Sequence, residues 1–161
     1  MSILVFLSLM IALAVTDIGI KTIVESGLEK DKEISILNDK VKLRRVHNKG
    51  LPFNKIEDKP ELVKKLSLVA TGFVGLQFMF TLLRSGRPIQ KLALTLLTAG
   101  ALSNTFDRCL RGYVIDYIGF ESKSEKWSSI TFNLADFMIL TGSFIMLFAN
   151  LILGRKKGKE V

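Results

Sequence analysis

Apolar residues fall into four charge-free blocks, residues 1–16, 66–83, 92–106 and 137–154. The second and fourth hold 18 residues each, enough for a helix to cross the hydrocarbon core of a bilayer. The other two, of 16 and 15 residues, reach that length if Asp17 and Lys91 lie at helix ends, with the Lys91 ammonium snorkelling to the interface. None of the blocks carries the repeating polar face of a surface helix. The pattern predicts four transmembrane helices, over about residues 3–21, 63–83, 89–106 and 134–153. A soluble bundle of buried core helices is the competing arrangement. Ala12-Leu13-Ala14 imitates a signal-peptide cleavage site, but the segment before the first block is only Met-Ser and lacks positive charge. The helical pattern also continues through Asp17 to Lys21, so a retained anchor is expected.

Two segments, 22–61 and 107–131, are left between the predicted spans on one side. In the first, Ile34 and Ile36, then Val41, Leu43 and Val46, are spaced for two strands around a turn at Asn38-Asp39. In the second, the run 112–120, GYVIDYIGF, is rich in β-branched and aromatic residues and predicts a strand. Pairing these would give a small sheet, which is marginal alone in water and would have to lean on the helices or the membrane surface. The charged stretch 25–33 reads as a solvated loop or a short helix.

Composition narrows the function. The hydrophobic share is 48% and the mean hydropathy +0.34, concentrated in the four blocks. The net charge of +8 is mostly a topology signal: Arg84, Arg87 and Lys91 mark one short loop, and Arg155, Lys156, Lys157 and Lys159 the tail. Both belong on the cytoplasmic side, which puts both termini there and segments 22–61 and 107–131 outside. No basic face with readout groups points to nucleic acid. With one cysteine, Cys109, and one histidine, His47, an internal disulfide is impossible and a His/Cys zinc site close to excluded. No metal and no cofactor are expected.

The polar residues of the spans gather at one depth. Asp17 and Lys21 are i,i+4 at the outer end of the first span. Asn104, Asp107 and Arg108 share one helix face at the outer end of the third, and Asn133 and Asp136 open the fourth. Transporters place ionisable groups near the midplane, whereas a cluster at one interface suits chemistry on a substrate there. Asp17–Lys21 and Asp107–Arg108 could equally be structural pairs. Asp116 and Asp136 differ, because neither has a basic residue at helical spacing. Two such carboxyls held together would share a proton, one acting as general base on water and the other as general acid, as peptide hydrolysis needs. Competing readings are a Cys109–His47 thiol protease, with Asn48 orienting the base, and a non-enzymatic membrane scaffold or small transporter.

Asn104-x-x-Asp107-Arg108, Gly112-x-Val114-x-Asp116 and Phe132-Asn133-x-Ala135-Asp136, together with Asp17-x-x-x-Lys21 and Asn48-x-Gly50, resemble the motifs of lipoprotein signal peptidase (signal peptidase II). The resemblance covers nearly the whole chain. It implies a single integral membrane peptidase domain over 1–161, a four-transmembrane-helix bundle with a small outer-leaflet β-sheet cradle, in the bacterial cytoplasmic membrane with its site at the outer face. It implies an aspartic endopeptidase that cuts lipid-modified prolipoproteins just before the diacylglyceryl cysteine, acting as a monomer among membrane lipids. Asp116 and Asp136 match the catalytic pair; Asn104, Arg108, Asn133, Asn48, Gly50, Asp17, Lys21 and Asp107 match residues that bind substrate or support the site. The chain departs from the pattern at Leu51-Pro52-Phe53, where small residues usually precede the aromatic. It also departs at Ser103 and Ala99, at or near positions usually held by glycine. A catalytically altered paralogue would fit these departures too.

Overall fold

The computed structural model describes residues 2–30, 32–50 and 56–157; Leu51, Pro52 and Phe53 lie outside them. Four long helices and a small sheet make up the fold: α1 (Ile3–Gly27), α2 (Pro60–Leu83), α3 (Pro88–Leu110) and α5 (Leu134–Lys157), with β1 (Ile34–Ile36), β2 (Val41–Asn48), β3 (Val114–Phe120), the short helix α4 (Glu125–Ser128) and β4 (Thr131–Phe132) between them. Three of the helices, α1, α2 and α5 from Leu134 to Leu151, are long and apolar enough to cross a membrane.

The third predicted span, α3, is a helix of 23 residues but is not one of these three, and its surroundings explain why. It packs against α1, α2 and α5, and its buried residues include Gln90, Thr95, Ser103, Asn104 and Asp107. As the hub of the bundle it meets protein on several sides, so polar side chains are tolerated where they find partners. Close approach to α5 depends on glycine: a Cβ on Gly100 would lie 2.5 Å from the Ala135 carbonyl oxygen, and one on Gly142 2.7 Å from that of Ala93. Among the described residues α2 and α5 barely touch.

The sheet is antiparallel, in the order β1-β2-β3-β4. Ile34 pairs with Leu43 and Ile36 with Val41 around a turn in which Leu37, Asn38 and Asp39 all have positive φ; the asparagine and aspartate suit that conformation. An irregularity between Leu43 and Val46 shifts the register, so that Val46 lies opposite Asp116 and Asn48 opposite Val114. Gly112, at φ +81, ends α3 and turns the chain directly into β3.

The stretch 25–33 divides: its described residues after Gly27 form a largely exposed loop, as expected, while its first three belong to α1. Helix α1 continues to Gly27, and Glu25 docks on the sheet: His47 Nε2 lies 2.9 Å from its carboxylate, Tyr113 donates to it at 3.1 Å, and Arg45 donates to its carbonyl at 2.8 Å.

Candidate active site

Side chains alternate between the faces of β3. Val114, Asp116 and Phe120 border a cavity of about 770 Å³ that also meets α2, α3 and α5. Asn48 and Asp116 share a face as diagonal neighbours across β2 and β3, which the shifted register makes possible. Asp136 reaches the same cavity from the first turn of α5.

Each of the four carboxyl oxygens of this pair accepts one N–H. Asp116 Oδ2 accepts from Asn48 Nδ2 at 3.0 Å, and its Oδ1 from Asn133 Nδ2 at 2.6 Å. Asp136 Oδ1 accepts from Asn104 Nδ2 at 3.1 Å, and its Oδ2 from the Asn133 backbone N–H at 3.0 Å. Asn133 Oδ1 in turn accepts the Asp136 N–H at 3.0 Å. This is the reciprocal arrangement of a capping box, and it leaves the Asn133 amide free to bridge to the other carboxyl. Neither Asp116 nor Asp136 forms an ion pair among the described residues. Burial, then the Asp136 charge, push the Asp116 carboxyl up from 3.8 to about 7. The charge of Arg108 acts on both; its guanidinium donates to the Gly50 carbonyl at 3.0 Å, while its Nε is buried without a partner.

Behind the pair lies a second network. Asp17, Lys21, Ser103 and Asp107 are all 0% exposed, and none of them borders the cavity. Lys21 Nζ is 2.8 Å from Asp17 and 3.4 Å from Asp107, and donates to Asn104 Oδ1 at 2.7 Å. Ser103 donates to Asp17 at 2.5 Å and Tyr117 does so at 3.0 Å.

The sequence-predicted residues thus separate into two groups. Asp116, Asp136, Asn48, Asn104 and Arg108 line the cavity. Asn133, Gly50, Asp17, Lys21 and Asp107 support it from behind. The Asp107–Arg108 pair does not form: Asp107 pairs with Lys21 and Arg111 and accepts the Ile115 N–H at 3.2 Å, because adjacent helical residues point apart while residues four apart share a face. Ser103 and Tyr117 were missed as network members. A polar Tyr in an apolar strand was the available signal for one, and Ser at a position usually held by glycine for the other. The thiol alternative has no geometry behind it: His47 pairs with Glu25 and stacks on Tyr113 with ring centroids 4.0 Å apart, and Cys109 is exposed. Among the described residues no group of three or more His, Cys, Asp or Glu could hold a metal ion.

A helical bundle of membrane-crossing character that turns one buried and one half-buried carboxyl onto one cavity defines a candidate aspartic hydrolase. Comparison with known proteins makes the class specific. The family described as Signal peptidase (SPase) II matches residues 9–152; the chain belongs to that family, and is a protease. A protein of Allorhizobium ampelinum named lipoprotein signal peptidase is 35% identical over 152 residues, 92% of this chain and 89% of its own length. One of the same name from Sulfurihydrogenibium is 31% identical over 159 residues, covering 96% and 94%. Another, from Fusobacterium nucleatum, is 28% identical over 154 residues, covering 96% and 90%. Two solved structures, each described as a bacterial membrane enzyme, share the fold with TM-scores of 0.78 and 0.75 at 19% identity, over 91% of this chain and 87% and 92% of theirs.

Proposed function

We propose that the chain removes signal peptides from lipid-modified prolipoproteins, cutting the peptide bond just before the diacylglyceryl cysteine with Asp116 and Asp136. The observation that carries this is the pair itself: two carboxyls linked through Asn133 and facing one cavity, with no ion pair to neutralise either among the described residues. With its carboxyl pushed up to about 7, Asp116 keeps a proton near neutrality and donates it to the scissile carbonyl oxygen. Asp136 remains a carboxylate and takes a proton from the attacking water, which becomes the nucleophile. The proton gained by Asp136 then passes to the leaving amine as the C–N bond breaks, while Asp116 takes back a proton from a hydroxyl of the collapsing diol. Arg108 and Asn104 offer N–H donors at the cavity wall for backbone carbonyls of an unwound substrate.

The surroundings suit such a substrate. Phe120, Phe132 and Phe137 pack together, with centroids 5.8–6.3 Å apart, and give the cavity an apolar wall beside the carboxyls. The gap between α2 and α5, floored by α3, is a lateral opening through which a membrane-embedded signal helix could reach the pair. In this reading α3 is the fourth transmembrane helix and both termini are cytoplasmic. The sheet covers the site as a cradle at the outer leaflet of the bacterial cytoplasmic membrane, and the protein acts as a monomer. The diacylglyceryl chains would anchor the cysteine beside the bond, each buried methylene contributing about 0.8 kcal/mol.

The test is cleavage of a lipid-modified precursor and its unlipidated form by purified protein in one detergent, with Asp116→Asn and Asp136→Asn beside the wild type. Cleavage of the lipidated form by the wild type alone is expected. Equal rates on the two precursors would overturn the lipid anchoring, and near-wild-type turnover by either variant would overturn the dyad.

A further inference from the structure

Tyr117 stands next to Asp116 in β3 but points to the opposite face of the strand, where it is 4% exposed. Its hydroxyl makes two bonds to two different helices. It donates to Asp17 Oδ1 of α1 at 3.0 Å and accepts the Leu134 N–H of α5 at 3.1 Å. That N–H belongs to the first residue of α5, one of the donors a helix leaves without an internal partner, and Asp136 follows two residues later. The strand that holds one carboxyl is therefore tied to the helix turn that holds the other through a single oxygen atom.

Asp17 anchors this tie from below. Besides Tyr117 it receives the Ser103 hydroxyl at 2.5 Å and the Lys21 ammonium at 2.8 Å. Lys21 also donates to Ser103 at 3.2 Å and to Asn104 Oδ1 at 2.7 Å, and Asn104 donates onward to Asp136. The position of Asp17 thus reaches Asp136 by two routes, through Tyr117 and Leu134 and through Lys21 and Asn104.

We propose that Tyr117 and Ser103 form a positioning pair which, by clamping Asp17 between them, sets how closely Asp116 and Asp136 are held. This role rests on the reading of those two residues as the reacting pair. Neither hydroxyl borders the cavity, so neither touches substrate. Their effect is on geometry, and on the coupling between the two carboxyls that geometry controls. The other charges acting on Asp116 are Lys21 from α1 and Arg108 from α3, and both side chains are retained in Tyr117→Phe.

The experiment compares Tyr117→Phe with the wild type on a lipid-modified precursor, measuring kcat and KM per folded molecule from about pH 5 to about pH 9, the range over which a carboxyl displaced toward neutrality titrates. Loosening a reacting geometry by a fraction of an ångström should lower kcat roughly 10- to 100-fold while leaving KM close to the wild-type value. The alkaline limb should move to lower pH, because carboxyls held less closely repel each other less. A hydroxyl with only a structural task would lower the melting temperature and leave kcat and the pH profile of the folded fraction unchanged; that result overturns the proposal. If Tyr117→Phe does not fold, Ser103→Ala decides the matter, since it frees the same carboxylate from the α3 side. The same fall in kcat and the same shift of the limb are expected, and an unchanged profile again overturns the proposal. A wild-type protein that leaves the precursor whole would remove the dyad reading and this role with it, whereas a cleaving wild type beside an unaffected Tyr117→Phe removes this role alone.

Discussion

Replacing Asn48 with Ala should move the alkaline limb of the pH–rate profile upward by about one pH unit, a magnitude that follows from one hydrogen bond. Asn48 Nδ2 donates to Asp116 Oδ2 at 3.0 Å, which favours the ionised carboxyl and opposes the burial that pushes Asp116 up to about 7. A hydrogen bond to a charged group is worth about 1.5–3 kcal/mol, and each pH unit corresponds to about 1.4 kcal/mol. Asn48 is only half-buried, so water replaces part of what is lost and the lower end of the range applies. The sign is fixed by the role of Asp116. If it must be protonated to act as the acid, activity is lost as pH rises through its pKa, and a higher pKa carries the loss to higher pH. The assay is kcat against pH on a lipid-modified precursor for both proteins. The substitution also releases the Gly50 N–H from Asn48 Oδ1, to which it donates at 3.0 Å, so the plateau is expected to drop through looser positioning of Arg108; only the limb reports the proton. A limb that stays in place, or moves to lower pH while the plateau remains measurable, would refute the assignment of Asp116 as the acid.

Three further outcomes follow from the buried network and the helix contacts. Lys21→Met leaves Asp17 and Asp107, both 0% exposed, without their shared cation, and should cost roughly 3–5 kcal/mol in unfolding measured in detergent; an unchanged unfolding midpoint would contradict the ion pairs. Gly100→Ala places a methyl 2.5 Å from the Ala135 carbonyl oxygen and 2.8 Å from Ile139 Cγ1, and thermal melts should show a loss of about 1–3 kcal/mol; a wild-type melt would mean that α3 and α5 can part freely. Arg108→Lys keeps the charge but loses the planar fork that reaches Gly50 at 3.0 Å, and turnover should fall roughly tenfold; full activity per folded molecule would mean that the fork is not used.

Much of this arrangement was legible in the sequence, and the parts that were not share a physical reason. Alternation on either side of the Asn38-Asp39 turn located the hairpin through Ile34, Ile36, Val41 and Leu43, and their observed pairing keeps that pattern. A common depth for Asn104, Asn133 and Asp136 predicted that they meet, and they bond as neighbours. Register was hidden, because a period of two says which face a residue takes but not what lies opposite it. The shift between Leu43 and Val46 is what sets Asn48 diagonal to Asp116. The partner of Asp107 was half visible: Arg111 stands at i+4 on the same face, but Lys21, 86 positions earlier in the chain, becomes a neighbour only when α1 packs on α3. Tyr117 and Asp17 lie 100 residues apart, and nothing in the local pattern of either one indicates the other.

Three asparagines face the two carboxyls, and the choice of that side chain has a common cause. A carboxylate only accepts hydrogen bonds, so a partner must present an N–H, and an amide can present either its donor or its acceptor end. At each of the three positions a donor without acceptor capacity occupies the oxygen. The Gly50 N–H takes Asn48 Oδ1 at 3.0 Å, the Lys21 ammonium takes Asn104 Oδ1 at 2.7 Å, and the Asp136 N–H takes Asn133 Oδ1 at 3.0 Å. With the oxygens held, each Nδ2 must turn toward a carboxyl. Aspartate in place of any of them would satisfy the rear donor but set a third negative charge against the pair. Leucine would leave donors buried and unpaired on both sides, and glutamine would carry its amide one methylene too far. Only a short side chain with opposite hydrogen-bonding ends can join a fixed donor behind to a carboxyl in front. Helix termini and turns supply two of the three fixed donors, which is why Asn48 sits two residues before Gly50 in a tight turn and Asn133 stands at the N-terminus of α5. The third, at mid-helix in α3, has no free backbone N–H to use, and there the chain sends Lys21 across from α1 instead.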